Sequence, residues 1–254
     1  MKVINSLDNP LIKKFRSLSV KKYREQFGLC LIEGEKVVRE AIKIGGMVEN
    51  LLISANKKDY YNSIIKEYND LVIIVSDEII KSLTSAVTNQ GIVAVAKIRE
   101  PKPISLKNNL IVLDRLQDPG NLGTIIRSSV ASGYMDIVLV DSVDPYNDKT
   151  IRSASGTIFY PNFIKMKQDE FNEFVKISGI NLVIADMDGE SIYGDFNVNS
   201  PYAIVVGNEG QGVSDEMLSL PHQKISIPMA NVVESLNAGV SASVIMFHLA
   251  NANK

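Results

Sequence analysis

The first hundred residues alternate between short apolar runs and stretches in which apolar side chains recur every three or four positions. The short runs predict strands at 28–32, 51–54, 71–75 and 92–98. The helical spacing predicts helices at 10–26, 33–44, 58–68 and 77–83. Alternating strands and helices are typical of α/β domains, so residues 1–100 are predicted to form a small one. The polar, proline-containing segment that follows predicts a linker over 101–108.

The alternation begins again at residue 109. Apolar runs predict strands at 110–113, 137–140, 163–166, 181–185, 202–206 and 224–227. Intervening stretches predict helices at 119–132, 148–154, 170–177, 214–218 and 234–252. The runs at 181–185 and 202–206 are almost wholly apolar, as in parallel strands that are buried on both faces. Residues 109–254 are therefore predicted to form a second α/β domain with about five parallel strands.

Composition narrows the class of protein. The chain has 254 residues, of which 45% are hydrophobic, and no run reaches the roughly 18 apolar residues of a membrane span. Its start lacks the apolar region of a secretory signal, and its single cysteine, Cys30, fits a reducing compartment, so we expect a cytoplasmic protein. Two histidines and one cysteine are too few for a Cys/His zinc site, and no metal is expected.

The net charge of −2 conceals an uneven distribution. Residues 1–100 carry 16 basic and 12 acidic side chains, whereas residues 101–254 carry 11 basic and 17 acidic ones. Within 1–24, seven basic side chains accompany one acid, Asp8. Such a basic arm is expected for a protein that binds a polyanion, although a solvated helix face has the same composition. The candidates for contacts with a polyanion are Lys13, Lys14, Arg16, Lys21, Lys22 and Arg24.

Three loops that follow predicted strands carry the side chains suited to chemistry. The first begins at Asp114 and leads into a helix that contains Arg127, and the second is the glycine-rich segment 207–212. The third leads to residues 234–237, where a carboxylate, a hydroxyl and an amide stand at the start of an uncharged helix. A helix start also offers unpaired backbone N–H groups. Because the carboxyl ends of parallel strands form the ligand crevice, we expect the three loops to converge.

Two features of these loops allow more than one interpretation. The spacing G-x-x-G-x-G of Gly207, Gly210 and Gly212 is neither the dinucleotide fingerprint nor a phosphate loop. It fits a tight strand-to-helix connection as well as a backbone that recognises the edge of an adenine. Arg127 lies in an otherwise apolar or small-residue segment, where arginine is costly unless it meets an anion. That anion is either a ligand or an internal acid such as Asp114 or Glu209.

Together the loops resemble the three motifs of the SpoU family of RNA ribose 2′-O-methyltransferases, in the SPOUT superfamily. The matching segments are LDRLQDPGNLGTIIRSSVASG, IVVGNEGQGVS and ISIPMANVVESLNAGVSASVIMF, with RSASGTIF as a further family-like segment. The resemblance covers roughly residues 110–250. By its layout, the domain predicted at 1–100 looks like the L30e-like RNA substrate-binding domain that often precedes this catalytic domain.

The resemblance implies a methyltransferase that uses S-adenosylmethionine to methylate a ribose 2′-hydroxyl in structured RNA, in rRNA first and tRNA second. It implies a SPOUT-type parallel sheet with a deep trefoil knot, and a homodimer in which Arg127 of one subunit faces the cofactor of the other. The positions that it implies for cofactor binding are Gly207, Gly212, Ile227, Met229 and Leu236. The catalytic positions that it implies are Asn121, Arg127, Glu209, Ser235 and Asn237.

We expect Arg127 to hold an RNA phosphate or the developing alkoxide, because arginine stays protonated and is a poor general base. The resemblance assigns the orientation of ribose and cofactor to Asn121, Ser235 and Asn237, and the fixing of Arg127 or the loop to Glu209. Two other classes stay open: a non-catalytic RNA-binding protein with a SPOUT fold, and an NAD enzyme, whose G-x-G-x-x-G fingerprint the sequence lacks. The sequence does not separate a housekeeping enzyme from an antibiotic-resistance enzyme.

Overall fold

The computed structural model describes residues 2–86, 88–194, 196–230 and 235–252. The backbone forms two compact units, one of Met1–Glu100 with Tyr146–Phe159 and one of Pro101–Pro145 with Tyr160–Lys254. The first unit therefore includes a short segment from the second half of the chain. Each unit contains one β-sheet. The domain limits drawn from the sequence, at 1–100, 101–108 and 109–254, stay predictions.

The first unit contains a mixed sheet of five strands in the order β1-β4-β3-β5-β2. The strands are β1 (Lys2–Ile4), β2 (Leu29–Glu33), β3 (Val48–Ser54), β4 (Val72–Val75) and β5 (Ile92–Lys97). Strands β1, β4 and β3 run parallel, and β5 runs antiparallel to both β3 and β2. The helices are α1 (Pro10–Ser17), α2 (Lys21–Phe27), α3 (Glu35–Ile44), α4 (Asn62–Glu67) and α5 (Asp77–Leu83). Apolar side chains of α1 and α5 pack with those of the sheet in one core cluster.

The single helix predicted at 10–26 is wrong, because the chain forms α1 and α2 with a break between them. The helix start is as predicted: the side-chain oxygen of Asn9 accepts the N–H of Leu11 at 2.9 Å. The side chain of Arg24 stabilises the break between α1 and α2. It is 5% exposed, and its guanidinium donates to the carbonyl oxygens of Leu18 and Ser19 at 2.9 and 2.8 Å. Arg24 therefore stabilises the fold and is removed from the candidates for polyanion contacts.

The second unit contains a sheet of six strands in which every neighbouring pair is parallel. The strands are β6 (Leu110–Asp114), β7 (Asp136–Val140), β8 (Asn162–Met166), β9 (Asn181–Ser191), β10 (Tyr202–Val206) and β11 (His222–Ser226). Their order is β11-β9-β10-β6-β7-β8. Strands β6, β7 and β10 are buried at every position, as expected for parallel strands that are covered on both faces.

The remaining helices are α6 (Pro119–Ser132), α7 (Asp148–Ala154), α8 (Gln168–Ser178), α9 (Asp215–Leu218) and α10 (Ala238–Ala252), of which α7 belongs to the first unit. Helix α6 begins at the predicted cap, where Asp118 accepts the N–H of Asn121 at 2.9 Å, and ends at Gly133 with φ 94°. Helix α10 begins later than predicted. Residues 235–237 precede it, and Glu234 lies outside the described residues.

In the part of the chain that the structure describes, no helix is long and apolar enough to cross a membrane. The strand order and strand directions agree with the predicted parallel α/β sheet. They do not by themselves trace a knot, so the trefoil knot stays a prediction of the family resemblance.

Replacing Arg24 by methionine tests its structural role. Arg24→Met is expected to lower the free energy of unfolding by about 1–3 kcal/mol, because two carbonyl groups at the helix break lose their donor. Urea unfolding measures the change. The exposed Lys22, on the same helix, is the matched control, and Lys22→Met is expected to stay within about 0.5 kcal/mol of wild type. Equal stability of the two variants contradicts the assignment.

Candidate functional site

A cavity of about 590 Å³ lies in the second unit, where β9, β10 and β11 lead into their loops. Its volume is in the range of small-molecule sites. Five stretches supply its described lining: residues 185–187 of β9, the end of β10 with its turn, α9, the end of β11 with its loop, and the start of α10. The convergence expected of loops at the carboxyl ends of parallel strands is therefore present.

The cavity gathers most of the predicted site residues. All five positions predicted to bind the cofactor line it, namely Gly207, Gly212, Ile227, Met229 and Leu236. Of the predicted catalytic residues, Glu209 and Ser235 line it as well. Asn121 donates a hydrogen bond to Glu209, and Asn237 donates one to Asn121. Only Arg127, among the predicted catalytic positions, is neither in the described lining nor in this hydrogen-bonded set.

The turn after β10 is tight, because its two backbone segments approach each other closely. A β-carbon on Gly207 would lie 2.2 Å from the carbonyl carbon of Gly212. The backbones of Asn208 and Gly212 exchange hydrogen bonds of 2.8 and 2.9 Å, and Gly212 has φ 71°, a conformation that favours glycine. The side chain of Asn208 accepts the N–H of Gly210 and Gln211 at 3.0 Å. The glycine spacing of residues 207–212 therefore corresponds to a tight turn after β10, and this turn presents its backbone to the cavity.

Asn121 joins the three loops through one chain of hydrogen bonds. Its Nδ2 donates to Oε1 of Glu209 at 3.0 Å, and its Oδ1 accepts from Nδ2 of Asn237 at 2.8 Å. Oδ1 of Asn237 in turn accepts the N–H of Gly239 at 3.0 Å and so caps α10. Asn121 is only 9% exposed. The start of α6, the turn after β10 and the start of α10 are therefore held together.

The carboxylate of Glu209 also accepts the backbone N–H groups of Gln117 and Asp118, at 3.2 and 2.9 Å. Partial burial by itself raises the pKa of Glu209. The N–H of Asp118, the amide of Asn121 and further backbone N–H groups lower it more, so the pKa lies below its ordinary value. Glu209 is therefore a fixed negative charge at neutral pH, and it holds the first loop in place.

Arg127 faces solvent on α6. Among the described residues it makes no hydrogen bond or ion pair. An internal pair with Asp114 or Glu209 is not formed. One oxygen of Asp114 accepts the N–H of Ser214 at 2.6 Å, and the other lies 3.4 Å from Nε of Arg115. Glu209 binds the first loop instead of Arg127.

Asp186 and Met187 line the cavity but were not predicted as site residues. The strand predicted at 181–185 continues to residue 191 as β9, and it pairs with β11 beyond a shift in register at Lys224. A β-carbon on Gly189 would lie 2.5 Å from the backbone nitrogen of Ile225, so glycine is required for this pairing. The available signal was the polar run DMDG directly after the apolar strand.

The described lining contains the carboxylates of Asp186, Glu209 and Asp215, and it contains no lysine, arginine or histidine. Such a site suits a positively charged small molecule. The NAD alternative is disfavoured because the turn after β10 lacks the G-x-G-x-x-G fingerprint. The fold and the site define an α/β protein with a cavity that suits a cationic small molecule beside a backbone turn.

Comparison with known proteins identifies the family. The model of the SpoU rRNA Methylase family matches residues 108–247, and that of the MRM3-like substrate binding domain matches residues 9–94. Over 250 residues the chain is 32% identical to the 23S rRNA (guanosine(2553)-2′-O)-methyltransferase RlmP of Bacillus subtilis, covering 98% of this chain and 99% of that protein. The chain belongs to the SpoU rRNA methylase family.

Solved structures agree with this assignment. An AdoMet-bound rRNA methyltransferase from Sinorhizobium meliloti has a TM-score of 0.83 at 27% identity, covering 99% of this chain and 98% of that chain. The SpoU methyltransferase AviRb from Streptomyces viridochromogenes, in complex with AdoMet, has a TM-score of 0.85 at 24% identity, with 96% and 98% covered, and shows the shared fold. The predicted family, the parallel α/β fold with a preceding substrate-binding domain, and the predicted enzyme class are confirmed.

The lowered pKa of Glu209 predicts how the stability of the protein changes with pH. Because the folded-state pKa lies below the ordinary value of 4.5, the carboxylate stabilises the fold above that pH, and this stabilisation is lost as the pH falls through the folded-state pKa. In Glu209→Gln the side chain keeps its shape, but one of its two acceptor oxygens is replaced by an NH2 donor that faces the N–H groups of the first loop. The variant is expected to melt below wild type at neutral pH and to approach wild type in acid.

Thermal unfolding between neutral and acidic pH measures this difference. Glu173, an exposed residue of α8 outside the site, is the matched control, and Glu173→Gln is expected to change the melting temperature little at either pH. A constant difference between Glu209→Gln and wild type across the pH range would show that the charge of Glu209 does not stabilise the loops.

Proposed function

We propose that the protein transfers a methyl group from S-adenosylmethionine to a ribose 2′-hydroxyl in rRNA, with structured tRNA as the second candidate substrate. The observation that carries this proposal is the convergence of the three family motifs on one negatively lined cavity. Family membership supports an RNA substrate. A protein that binds RNA without catalysis would not need loops that are joined by hydrogen bonds around such a cavity.

The residues around the cavity fit S-adenosylmethionine. Gly207 leaves no room for a β-carbon, so the turn brings bare backbone N–H and C=O groups to the cavity. Ile227, Leu236 and Ile245 add apolar surface suited to the adenine. The lining carboxylates complement the positive charge of the sulfonium and amino groups. When bound, the cofactor supplies an electrophilic methyl group. Gly207, Gly212, Ile227, Met229 and Leu236 are the residues proposed to hold it.

The remaining site residues align the ribose and stabilise charge. A ribose hydroxyl is a poor nucleophile at neutral pH, so its alignment with the methyl group contributes much of the rate. Ser235 and Asn237 lie just before the start of α10, where they can bind the ribose, and the hydrogen bond with Asn121 fixes the position of Asn237. Glu209 acts as a positioning residue for the first loop. Arg127 stays protonated and stabilises an RNA phosphate or the developing alkoxide.

Because Arg127 lies outside the described lining of its own chain's cavity, we include a homodimer in the proposal, with Arg127 reaching the partner's cavity. Helices α6 and α10 pack closely, since the hydroxyls of Ser128 and Ser243 are 2.6 Å apart. Helix α10 exposes Val240 and Phe247, seven positions apart, at 44% and 43%. Exposed apolar side chains near an arginine without a partner among the described residues are typical of an interface.

RNA binding is assigned to residues 1–100, joined by a linker at 101–108 to the catalytic residues 109–254. Helices α1 and α2 carry Lys13, Lys14, Arg16, Lys21 and Lys22, all of them exposed except the half-buried Lys14. Lys13 pairs with Asp8 at 2.9 Å, but so exposed a pair contributes little and can open to a phosphate. The proposal includes a cytoplasmic location. It includes no metal, because the cofactor itself carries the electrophile.

Two glycines of one turn give a matched test of cofactor binding. Gly207→Ala forces the backbone of Gly212 away, so the affinity for S-adenosylmethionine is expected to fall about tenfold or more. In Gly210→Ala the nearest atom to the new β-carbon is Oδ1 of Asn208 at 3.8 Å, so the turn keeps its shape, and the affinity is expected to fall less than in Gly207→Ala. Calorimetric titration measures both. Similar affinities in the two variants would remove the turn from the cofactor site.

The activity is tested by transfer of a labelled methyl group to total RNA, followed by mapping of the phosphodiester bonds that resist alkali. Wild type is expected to label rRNA at a ribose 2′ oxygen. Arg127→Ala is expected to lose about 100-fold or more of the rate, as when a group that stabilises developing charge is removed. Its affinity for S-adenosylmethionine is expected to be unchanged, and the exposed Lys176→Ala on α8 is the control.

The same assay tests whether two subunits build one site. Arg127→Ala and Gly207→Ala subunits, co-expressed with different tags, are expected to regain activity, because one site of the mixed dimer keeps both residues. No methyl transfer by wild type contradicts the proposed function. A loss of cofactor affinity in Arg127→Ala places Arg127 in the pocket of its own chain, and absence of complementation contradicts the shared site.

A further inference from the structure

An aromatic pair lies on the surface of α2, among the basic residues of the first unit. Tyr23 and Phe27 are each 37% exposed, and their rings stack with centroids 6.3 Å apart and planes 15° apart. They are four positions apart and therefore lie on one face of the helix. Val20, just before α2, is a further exposed apolar residue, at 51%.

Cations adjoin the pair. Nζ of Lys14, on α1, lies 4.7 Å from the centroid of the Phe27 ring, a distance typical of a cation–π contact. Lys21 and Lys22, both exposed, begin α2. We call Lys14, Tyr23 and Phe27 the aromatic–lysine surface. It joins a ring face with a positive charge, and residues 1–24 around it carry seven basic side chains and one acid.

Packing inside the chain does not explain why these rings are exposed. The hydroxyl of Tyr23 makes no hydrogen bond with any residue that the structure describes. By contrast, Tyr61 donates to a backbone carbonyl, and the hydroxyls of Tyr134 and Tyr202 bond to each other. A pair at this spacing stabilises a helix by only about 0.2–0.5 kcal/mol, which an aliphatic pair also supplies. Exposed aromatics beside cations are instead the pattern of surfaces that bind single-stranded nucleic acid.

We propose that Tyr23 and Phe27 stack an unpaired base of the substrate RNA, while Lys14 and its basic neighbours bind the adjoining phosphates. The inference rests on the proposed function and names the form of RNA that is recognised: a loop or bulge with a splayed base. A continuous A-form duplex conceals its base faces, so only an unpaired base can stack on a side chain. The basic surroundings favour a polyanion over a protein partner.

The test uses two synthetic RNAs with the same stem, a hairpin with an open loop and a fully paired duplex. The loop carries 2-aminopurine, whose fluorescence reports stacking on a ring. Wild type is expected to bind the hairpin more tightly than the duplex. Tyr23→Leu and Phe27→Leu keep apolar bulk but lose the ring, so their hairpin affinity is expected to fall about five- to tenfold. Their duplex affinity stays unchanged, and Tyr23→Phe behaves as wild type.

Salt dependence separates stacking from charge. Removal of one phosphate–cation interaction lowers the slope of log affinity against log salt by roughly 0.7–0.9. Lys21→Gln with Lys22→Gln is therefore expected to reduce the slope for both RNAs. Tyr23→Leu is expected to weaken hairpin binding without changing the slope, which a general loss of folding or charge would not do. Circular dichroism and thermal unfolding check that each variant is folded.

Tyr60, which is 65% exposed in the same unit but outside this surface, is the matched control, and Tyr60→Leu is expected to bind both RNAs as wild type does. Three results overturn the inference: equal binding of hairpin and duplex by wild type, unchanged hairpin binding in Tyr23→Leu and Phe27→Leu, or an equal loss in Tyr60→Leu. Methyl transfer by wild type to total RNA is measured separately, so a failure of the proposed function is distinguished from a failure of the stacking surface.

Discussion

The candidate site depends on the side-chain amide of one residue, Asn121, which uses its two ends in opposite directions. Its nitrogen donates to the carboxylate of Glu209, and its oxygen accepts from the amide of Asn237. A carboxylate in this place could not donate to Glu209, and a hydroxyl could not span both partners. Because the amide is almost buried, the loss of either bond would leave a polar group without a partner where water is scarce. The loop of Asn121 and the loops that follow it by 88 and 116 positions thereby form one wall of the site.

The backbone is as important as the side chains for the form of the cavity. At Gly207 and Gly189 two segments approach so closely that a β-carbon cannot fit. The first approach closes the turn after β10, and the second lets β9 continue beside β11 and bring Asp186 to the cavity. A parallel sheet places the ends of these strands together, and the glycines allow the following loops to curve back over them. The result is a cavity with exposed backbone groups and carboxylates on its wall.

The sequence predicted correctly the limits of helices whose ends are determined by their own capping residues. Asp118, Pro119 and Gly133 fixed the limits of α6 through a cap, a rigid first turn and a left-handed residue. The predicted site residues around the cavity came from motif order, and only Arg127 stands apart from them. The failures share a different cause. Arg24 looks like any surface cation in the sequence, yet it bonds to carbonyls six and five positions earlier and divides a helix. The continuation of β9 depends on pairing with β11, more than thirty positions later, which no local pattern contains.

The separation of charge along the chain has a physical consequence for a protein that handles two oppositely charged ligands. A cationic cofactor requires a negative site, and a polyanionic RNA requires a positive surface, so a uniform surface charge would weaken one of them. Here the described cavity lining carries Asp186, Glu209 and Asp215 without a basic side chain, whereas residues 1–24 carry seven basic side chains and one acid. Under the proposed function, the phosphates of the RNA would be repelled from the cavity and attracted to α1 and α2. Arg127, the cation proposed to act beside the ribose, lies outside the described lining of its own cavity. Supply of that cation by a second subunit would keep the cofactor site negative until the RNA and the partner complete it.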